Sequence, residues 1–243
     1  MLRLLRADLH IHTCLSPCTE LDMSPKEIVN RAALKELDII GICDHNTTEN
    51  SQAAIEAGKK MNICVFPGME VTSQEEVHVL AIFDELKSAL DLQEYVYRNL
   101  PGENDEEAFG MQVIVDENDA VLGFNNRLLI GATTIPLEVV IRVIHSFNGL
   151  AIASHVDRES FSIIGQLGFI PENLELDALE ISPRLTSEEA KKRYGNNYPI
   201  TCSSDAHYPE DIGKGYTSLL LKEGSVSEMK KALKSEEGRK LMH

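Results

Sequence analysis

The 243-residue sequence predicts an α/β fold, a right-handed βα sheet closed on itself with its functional site at the carboxyl ends of the strands. Three observations predict it. Short apolar runs, of the kind buried on both faces of a parallel sheet, alternate with capped helical segments along the chain. The length suits one βα barrel, which commonly takes about 200–250 residues. Finally, six of the eight histidines fall in five polar segments, each at or near a strand tip. These are Asp8-Leu9-His10-Ile11-His12, Cys43-Asp44-His45-Asn46, Glu76-Val77-His78-Val79-Leu80, Ser154-His155-Val156-Asp157-Arg158 and Ser203-Ser204-Asp205-Ala206-His207.

Taken in order, residues 4–11 read as the first strand. Ser24-Pro25-Lys26-Glu27 supplies an N-cap, a proline at the first helical position and a capping-box glutamate, opening a helix to about residue 37. Residues 38–43 are almost wholly apolar and read as a buried parallel strand. A helix over 49–60 leads to a strand at 63–66, then a turn at Pro67-Gly68 ahead of Met69-Glu70-Val71. Residues 77–83 form a further strand, 91–100 a helix and 101–110 an acidic loop. Two β-rich runs, 112–115 and 120–124, flank a turn at Asp116-Glu117-Asn118-Asp119, a hairpin pattern. Residues 101–135 therefore read as an insertion or lid within one domain spanning 1–243. A helix over 136–147, with Thr134 near its start and Asn148-Gly149 closing it, precedes a buried strand at 150–154. Later strands fall at 179–181, 200–203 and 216–221. Thr186-Ser187-Glu188-Glu189 and Ser225-Val226-Ser227-Glu228 are capping boxes for the last helices.

A hydrophobic content of 43% supports a full core without disulfide or metal staples. Acidic residues outnumber Lys and Arg by 39 to 23, a net charge of −16, which disfavours sequence-independent binding to long nucleic acid. Small anionic substrates remain compatible, because bound divalent cations invert the local field. The five cysteines include no C-x-x-C pair, so reduced thiols in a cytoplasmic protein are expected. No apolar run approaches the roughly 20 residues of a membrane span, and residues 1–6 are too short and interrupted for a signal peptide.

The histidines carry the chemistry. His10 and His12, two apart on an extended segment, project to the same side and can grip one metal. Glu70 stands where its two oxygens could bridge two cations, which two-metal hydrolases hold about 3.5–4 Å apart. Asp205 and His207 repeat the i, i+2 spacing, and His45, His78 and His155 each add an imidazole. His145, inside a helix, and His243, at the terminus, read as structural or solvent-exposed, and Cys202 as core.

In this order, Asp-Leu-His10-Ile-His12, Asp44-His45, Gly-Met-Glu70-Val, His78, Ser-His155 and Ser-Asp205-Ala-His207 resemble the motifs of the PHP (polymerase and histidinol phosphatase) family, over residues 8–207. The resemblance implies a distorted seven-stranded, TIM-like βα barrel holding two or three divalent metals, usually Zn, Mn or Fe, and hydrolysing a phosphate ester. Carried over by position, His10, His12, Glu70 and Asp205 would hold one metal. Glu70 would bridge to a second, completed by His78 and His155, and His45 and His207 would belong to a third. Where the family often has Asp or His at that third site, this chain reads Ser16-Pro17-Cys18. Cys18 is then either a thiolate ligand, favouring Zn over Mn, or a small buried residue.

The implied mechanism is in-line attack by a metal-bridging hydroxide, with Arg neutralising developing charge. Arg158 and Arg184 are phosphate-clamp candidates or, alternatively, structural arginines; His207 could protonate the leaving group if the third site is empty. The expected substrate is a small phosphomonoester, a nucleotide or nucleoside bisphosphate among the options. Two alternatives stand beside it: an amidohydrolase-like enzyme acting on a non-phosphate substrate, and a non-catalytic, metal-stabilised scaffold.

Overall fold

A computed structural model describes residues 1–242; His243, expected to be structural or solvent-exposed, lies outside them. The α/β architecture is built on a nine-stranded mixed sheet that curls into a half-barrel. Strand β1 (Arg3–Ile11) leads to helix α1 (Pro25–Leu34), where the Ser24 side chain accepts the Glu27 N–H as the sequence predicts, but the Glu27 carboxylate binds Arg31 and leaves the expected capping box half formed. Strand β2 (Ile39–Ile42) and helix α2 (Ser51–Met61) follow, then strand β3 (Cys64–Thr72) and strand β4 (His78–Ile82). Helices α3 (Leu86–Tyr97) and α4 (Glu106–Phe109) precede a separate two-stranded sheet of β5 (Val113–Val115) and β6 (Val121–Phe124). The chain returns through α5 (Leu137–Ser146), β7 (Leu150–Ala153), α6 (Ile163–Leu167), β8 (Ala178–Ile181), α7 (Ser187–Tyr194) and β9 (Ile200–Cys202). It ends with β10 (Thr217–Leu221), α8 (Val226–Leu233) and β11 (Lys240–Met242).

The order β11-β10-β1-β2-β3-β4-β7-β8-β9 exceeds the expected seven strands by the C-terminal pair, which adds antiparallel to the outer edge of β1. At the other edge, a single parallel bridge from Ile11 to Ala206 brings the segment after β9 beside the end of β1. The sheet is also less uniformly parallel than the βα rhythm predicts, since β4 runs antiparallel to both β3 and β7.

The turn expected at Pro67-Gly68 is absent. Both residues lie inside β3, which pairs parallel with β2 up to Pro67 and antiparallel with β4 from Gly68. Glycine is required there by close approach: a Cβ on Gly68 would stand 2.5 Å from the Ala81 carbonyl oxygen. Helix α3 starts five residues earlier and ends three earlier than the pattern suggests, and α4 interrupts the expected loop, capped by the Asp105 side chain. Thr186 forms the full capping box, whereas Ser225 forms only half, because the Glu228 carboxylate is engaged by Arg239.

Apolar residues from successive strands fill the inside, among them Leu9, Ile39, Leu80 and Ile152, all fully buried. The helices α3 and α5 close a second cluster over β4 and β7. His145 proves structural: its Nε2 lies 2.8 Å from Asp177 Oδ2, tying α5 to the segment before β8. Cys202 is partly buried against the core, and all five cysteines are free thiols. No helix among the described residues is long and apolar enough to cross a membrane.

Candidate metal centre

The strand ends converge on Glu70. His10 lies in β1 and His12 just beyond it, His45 follows β2, Glu70 sits in β3 and His78 opens β4. His155 follows β7, and Asp205 and His207 follow β9. Glu70 Oε1 is 3.0 Å from His78 Nδ1, 3.2 Å from His155 Nε2 and 3.4 Å from His10 Nε2, while Oε2 is 3.2 Å from His45 Nδ1. Asp205 Oδ1 lies 3.2 Å from His12 Nε2 and 3.3 Å from His10 Nε2, and those two imidazole nitrogens are 3.0 Å apart. All these residues are buried. His207 is partly exposed, its ring stacked on His12 at 4.4 Å.

The donor set fits divalent cations. Glu70 Oε1, Asp205 Oδ1, His45 Nδ1 and His78 Nδ1 are fully buried yet form no hydrogen bond, although ion-pair distances separate them. Such atoms are close without being aimed at one another, and buried polar atoms left unpaired are costly. Atoms about 3 Å apart on a shared edge are what ligands about 2.1 Å from a common cation produce. Three groups have donor atoms within 4.8 Å of one another: His10, His12 and Asp205; His45, Glu70 and His78; and His12, Cys18, His45 and His207. His155 joins through Glu70. Thus the structure brings together every residue singled out as a ligand in the sequence, Cys18 included.

Behind the imidazoles stand residues the sequence reading missed. Glu180, in β8, accepts from His10 Nδ1 at 2.9 Å and from the His155 backbone N–H at 3.1 Å. With Nδ1 so engaged, His10 presents Nε2 to the cluster. Ser16 Oγ lies 3.0 Å from His12 Nδ1 and donates to Asp44 Oδ1 at 2.7 Å, so His12 likewise presents Nε2. His207 Nδ1 donates to the Asp205 carbonyl at 2.8 Å, leaving its Nε2 as the acceptor. Asp8 accepts the Ser204 and Gly213 N–H groups and anchors the last ligand loop to β1. A charged residue in a strand buried on both faces, as Glu180 is, was the available signal.

Electrostatics separates the paired histidines. Burial alone would depress His10, but Asp205, Glu180 and Glu70 hold its imidazole well above the usual range. Burial, and next the charge of His207, lowers His12 to about 4. Burial and then His12 push His45 well down. Although burial raises them, Glu70 is held well below the carboxylate range by His78 and His10, and Asp205 by His10 and His12. Burial, followed by Glu70 and Asp205, raises the Cys18 thiol, a field that a cation in the cluster would reverse.

The centre lies at the base of a pocket of about 1060 Å³. Arg158, Arg184 and Lys214 line it, with Phe161 and Tyr208 as exposed aromatics. Arg158 Nη1 is 2.6 Å from Asp205 Oδ2, so this guanidinium is held on the cluster's edge. No carboxylate pairs with the Arg184 guanidinium among the described residues; Lys214 pairs with Asp211 at 2.6 Å. Asn46, His155, Phe161 and Asp205 hold positive φ values of 53°, 27°, 56° and 50°, and such strain clusters at functional sites.

Comparison with known proteins matches residues 8–170 to the PHP domain and residues 187–237 to the PHP-associated family. A 5'-3' exoribonuclease of Haemophilus influenzae is 30% identical over 78 residues, 31% of this chain and 27% of that protein. The lesion-specific endonuclease PfuEndoQ of Pyrococcus furiosus superposes with a TM-score of 0.72 at 20% identity, over 99% of this chain and 58% of that one. A Bifidobacterium adolescentis structure described as a metal-dependent phosphoesterase gives 0.53 at 19% identity, over 83% and 87%. The chain thus spans little more than half the endonuclease, and its match to the exoribonuclease covers about a quarter of that protein's length.

Proposed function

The chain belongs to the PHP domain family of metal-dependent hydrolases, and on that premise we propose that it hydrolyses a small phosphomonoester using two or three divalent cations. One observation carries this reading: buried, unpaired donor atoms surround Glu70 beneath a pocket that Arg158 and Arg184 help to line. His10, His12, Glu70 and Asp205 would hold one cation, Glu70, His78 and His155 a second, and His45, His207 and Cys18 a third. Zinc, manganese and iron all suit the imidazole and carboxylate set; Cys18 biases the third position toward zinc.

Bound cations would supply Lewis-acid activation of water and neutralisation of charge at phosphorus. The chain's own residues do the rest. Arg184, unpaired at the pocket wall, orients the phosphate by charge-assisted hydrogen bonds. Arg158 shifts between Asp205 and the incoming anion, keeping the phosphate beside the cluster. His207, partly exposed and with Nδ1 fixed on a carbonyl, has Nε2 free to ligate or, with the third position vacant, to carry a proton to the leaving oxygen.

Residues 101–135 are best regarded as an insertion shaping access. Ile130 lines the pocket, and the Leu129 and Gly131 carbonyls accept from Asn46 Nδ2 beside His45. The acidic composition is in keeping with a cytoplasmic protein acting on a small substrate.

A second reading, phosphodiester cleavage of an oligonucleotide, is favoured by likeness to the exoribonuclease and the endonuclease. Metal analysis followed by a screen of phosphomonoesters, nucleotides, bisphosphates and short oligonucleotides with Mn or Zn decides between them. Phosphate release from monoesters, abolished in His12→Ala, is the expected result; undiminished release in that variant would overturn the assigned site.

A further inference from the structure

The pocket holds a feature that metal ligation and phosphate binding leave unexplained. Phe161 lies between β7 and α6 with φ at +56°, a conformation that is an outlier for a bulky side chain. Its carbonyl accepts the His78 N–H at 2.9 Å, and its ring lies on the His78 imidazole at 4.8 Å with a 16° interplanar angle. The loop is held further by Ser162 Oγ, which donates to the Arg158 carbonyl at 2.6 Å. The backbone is therefore pinned in a strained form that lays one ring face on a predicted ligand. The residue is nevertheless 42% exposed and lines the pocket.

Strain of this kind costs on the order of 1–3 kcal/mol and persists where surrounding structure enforces it. Exposing a large apolar face in a polar pocket adds nothing to stability. The pocket's remaining walls are polar and of mixed charge, with Arg158, Arg184 and Lys214 set among Asp157, Glu159 and Asp211, a second exposed aromatic at Tyr208 and few aliphatics. Cations together with flat π faces suit an anion joined to a planar ring; an anion joined to an alkyl chain would want aliphatic walls.

We propose that Phe161 is a specificity-determining residue, whose free face stacks on a planar aromatic ring carried by the phosphoester. This rests on the phosphoesterase reading and narrows its substrate class to ring-bearing phosphates. His78 beneath the ring sets its plane, so the ring is preorganised before the ligand arrives.

The chain contains no tryptophan, so Phe161→Trp places a single, selectively excitable indole on this wall. In the metal-loaded protein, adenosine should quench its emission and ribose should not. In parallel, kcat/KM is compared for adenosine 5'-monophosphate and ribose 5-phosphate, which differ by the ring alone. The wild type should prefer the nucleotide by roughly 5- to 100-fold, the range stacking on one aromatic face supplies. That ratio should collapse toward one in Phe161→Gly, which relieves the positive φ while removing the ring. Phe161→Leu, keeping bulk without a π face, should fall similarly, and Phe161→Trp should retain the preference. A ratio that survives in Phe161→Gly, or an emission indifferent to adenosine, overturns the proposal while leaving the hydrolase reading intact. Quenching by adenosine with no ester cleaved by the wild type does the reverse.

Discussion

Glu180 offers the sharpest test of how the centre is assembled. Its Oε1 takes a 2.9 Å contact from His10 Nδ1 and a 3.1 Å hydrogen bond from the His155 N–H, while Oε2 is buried without a partner. It is also one of three carboxylates, with Asp205 and Glu70, that hold His10 against the depressing effect of burial. Hydrogen bonds to a charged group contribute about 1.5–3 kcal/mol, which is roughly 10- to 150-fold in an equilibrium. Loss of a partner behind a metal-ligating histidine commonly weakens metal binding by about 10–100-fold, so the two routes agree. Glu180→Gln keeps an acceptor at Oε1 but loses the charge, and should weaken zinc binding by about tenfold. Glu180→Ala loses both contacts and frees the His10 ring, and should approach about a hundredfold. Competition with a chromophoric chelator measures both, and thermal melts of the metal-free proteins separate misfolding from lost alignment. Wild-type zinc affinity in the folded Glu180→Ala protein would refute the idea that this carboxylate orients His10.

Other consequences are as direct. If Cys18 completes the third site, the cobalt-substituted protein should show a sulfur-to-metal charge-transfer band in the near ultraviolet that Cys18→Ser abolishes; an unchanged spectrum would make Cys18 a bystander. Arg184→Ala should raise KM for a phosphomonoester by roughly 10–100-fold at nearly constant metal affinity, whereas Arg158→Ala, by releasing Asp205, should weaken metal binding as well. Far from the centre, Arg239 grips Glu228 through both carboxylate oxygens at 2.8 and 3.0 Å, and mainly this lowers Glu228 to about 2. A depressed carboxylate contributes stability above its ordinary value of 4.5 and loses it as pH falls through about 2. Glu228→Gln should cost about 2 kcal/mol at neutral pH, and urea titrations should show that cost shrinking over the acid window; a constant difference would contradict the pairing.

Much of the centre was legible because each ligand is announced locally: an imidazole or carboxylate at the end of an apolar strand is an anomaly that burial penalises unless it is used. What was illegible is what depends on distant partners. The C-terminal strands join the sheet through β10 pairing with β1 and β11 pairing with β10, and no local pattern records those pairings. Pro67 and Gly68 carry turn chemistry, yet the close approach of Ala81 makes glycine a strand residue there. Helix α3 opens at Glu85 with no side-chain cap, so nothing marked its start. The histidine pair shows the limit most clearly. His10 and His12 look equivalent in sequence, two residues apart on one strand tip, and both are buried. Their imidazoles nevertheless shift in opposite directions: both face Asp205, but Glu180 lies beside His10 while His207 stacks on His12. Glu180 is 170 residues from His10 and His207 is 195 from His12. A motif can therefore name the donor atoms, but the proton each must release before it binds a cation is set by side chains that only the curled sheet brings near. His12 at about 4 is held toward the neutral form, whereas His10 is held in the opposite direction and keeps its proton to higher pH, so within this pair the competition between proton and metal falls on His10.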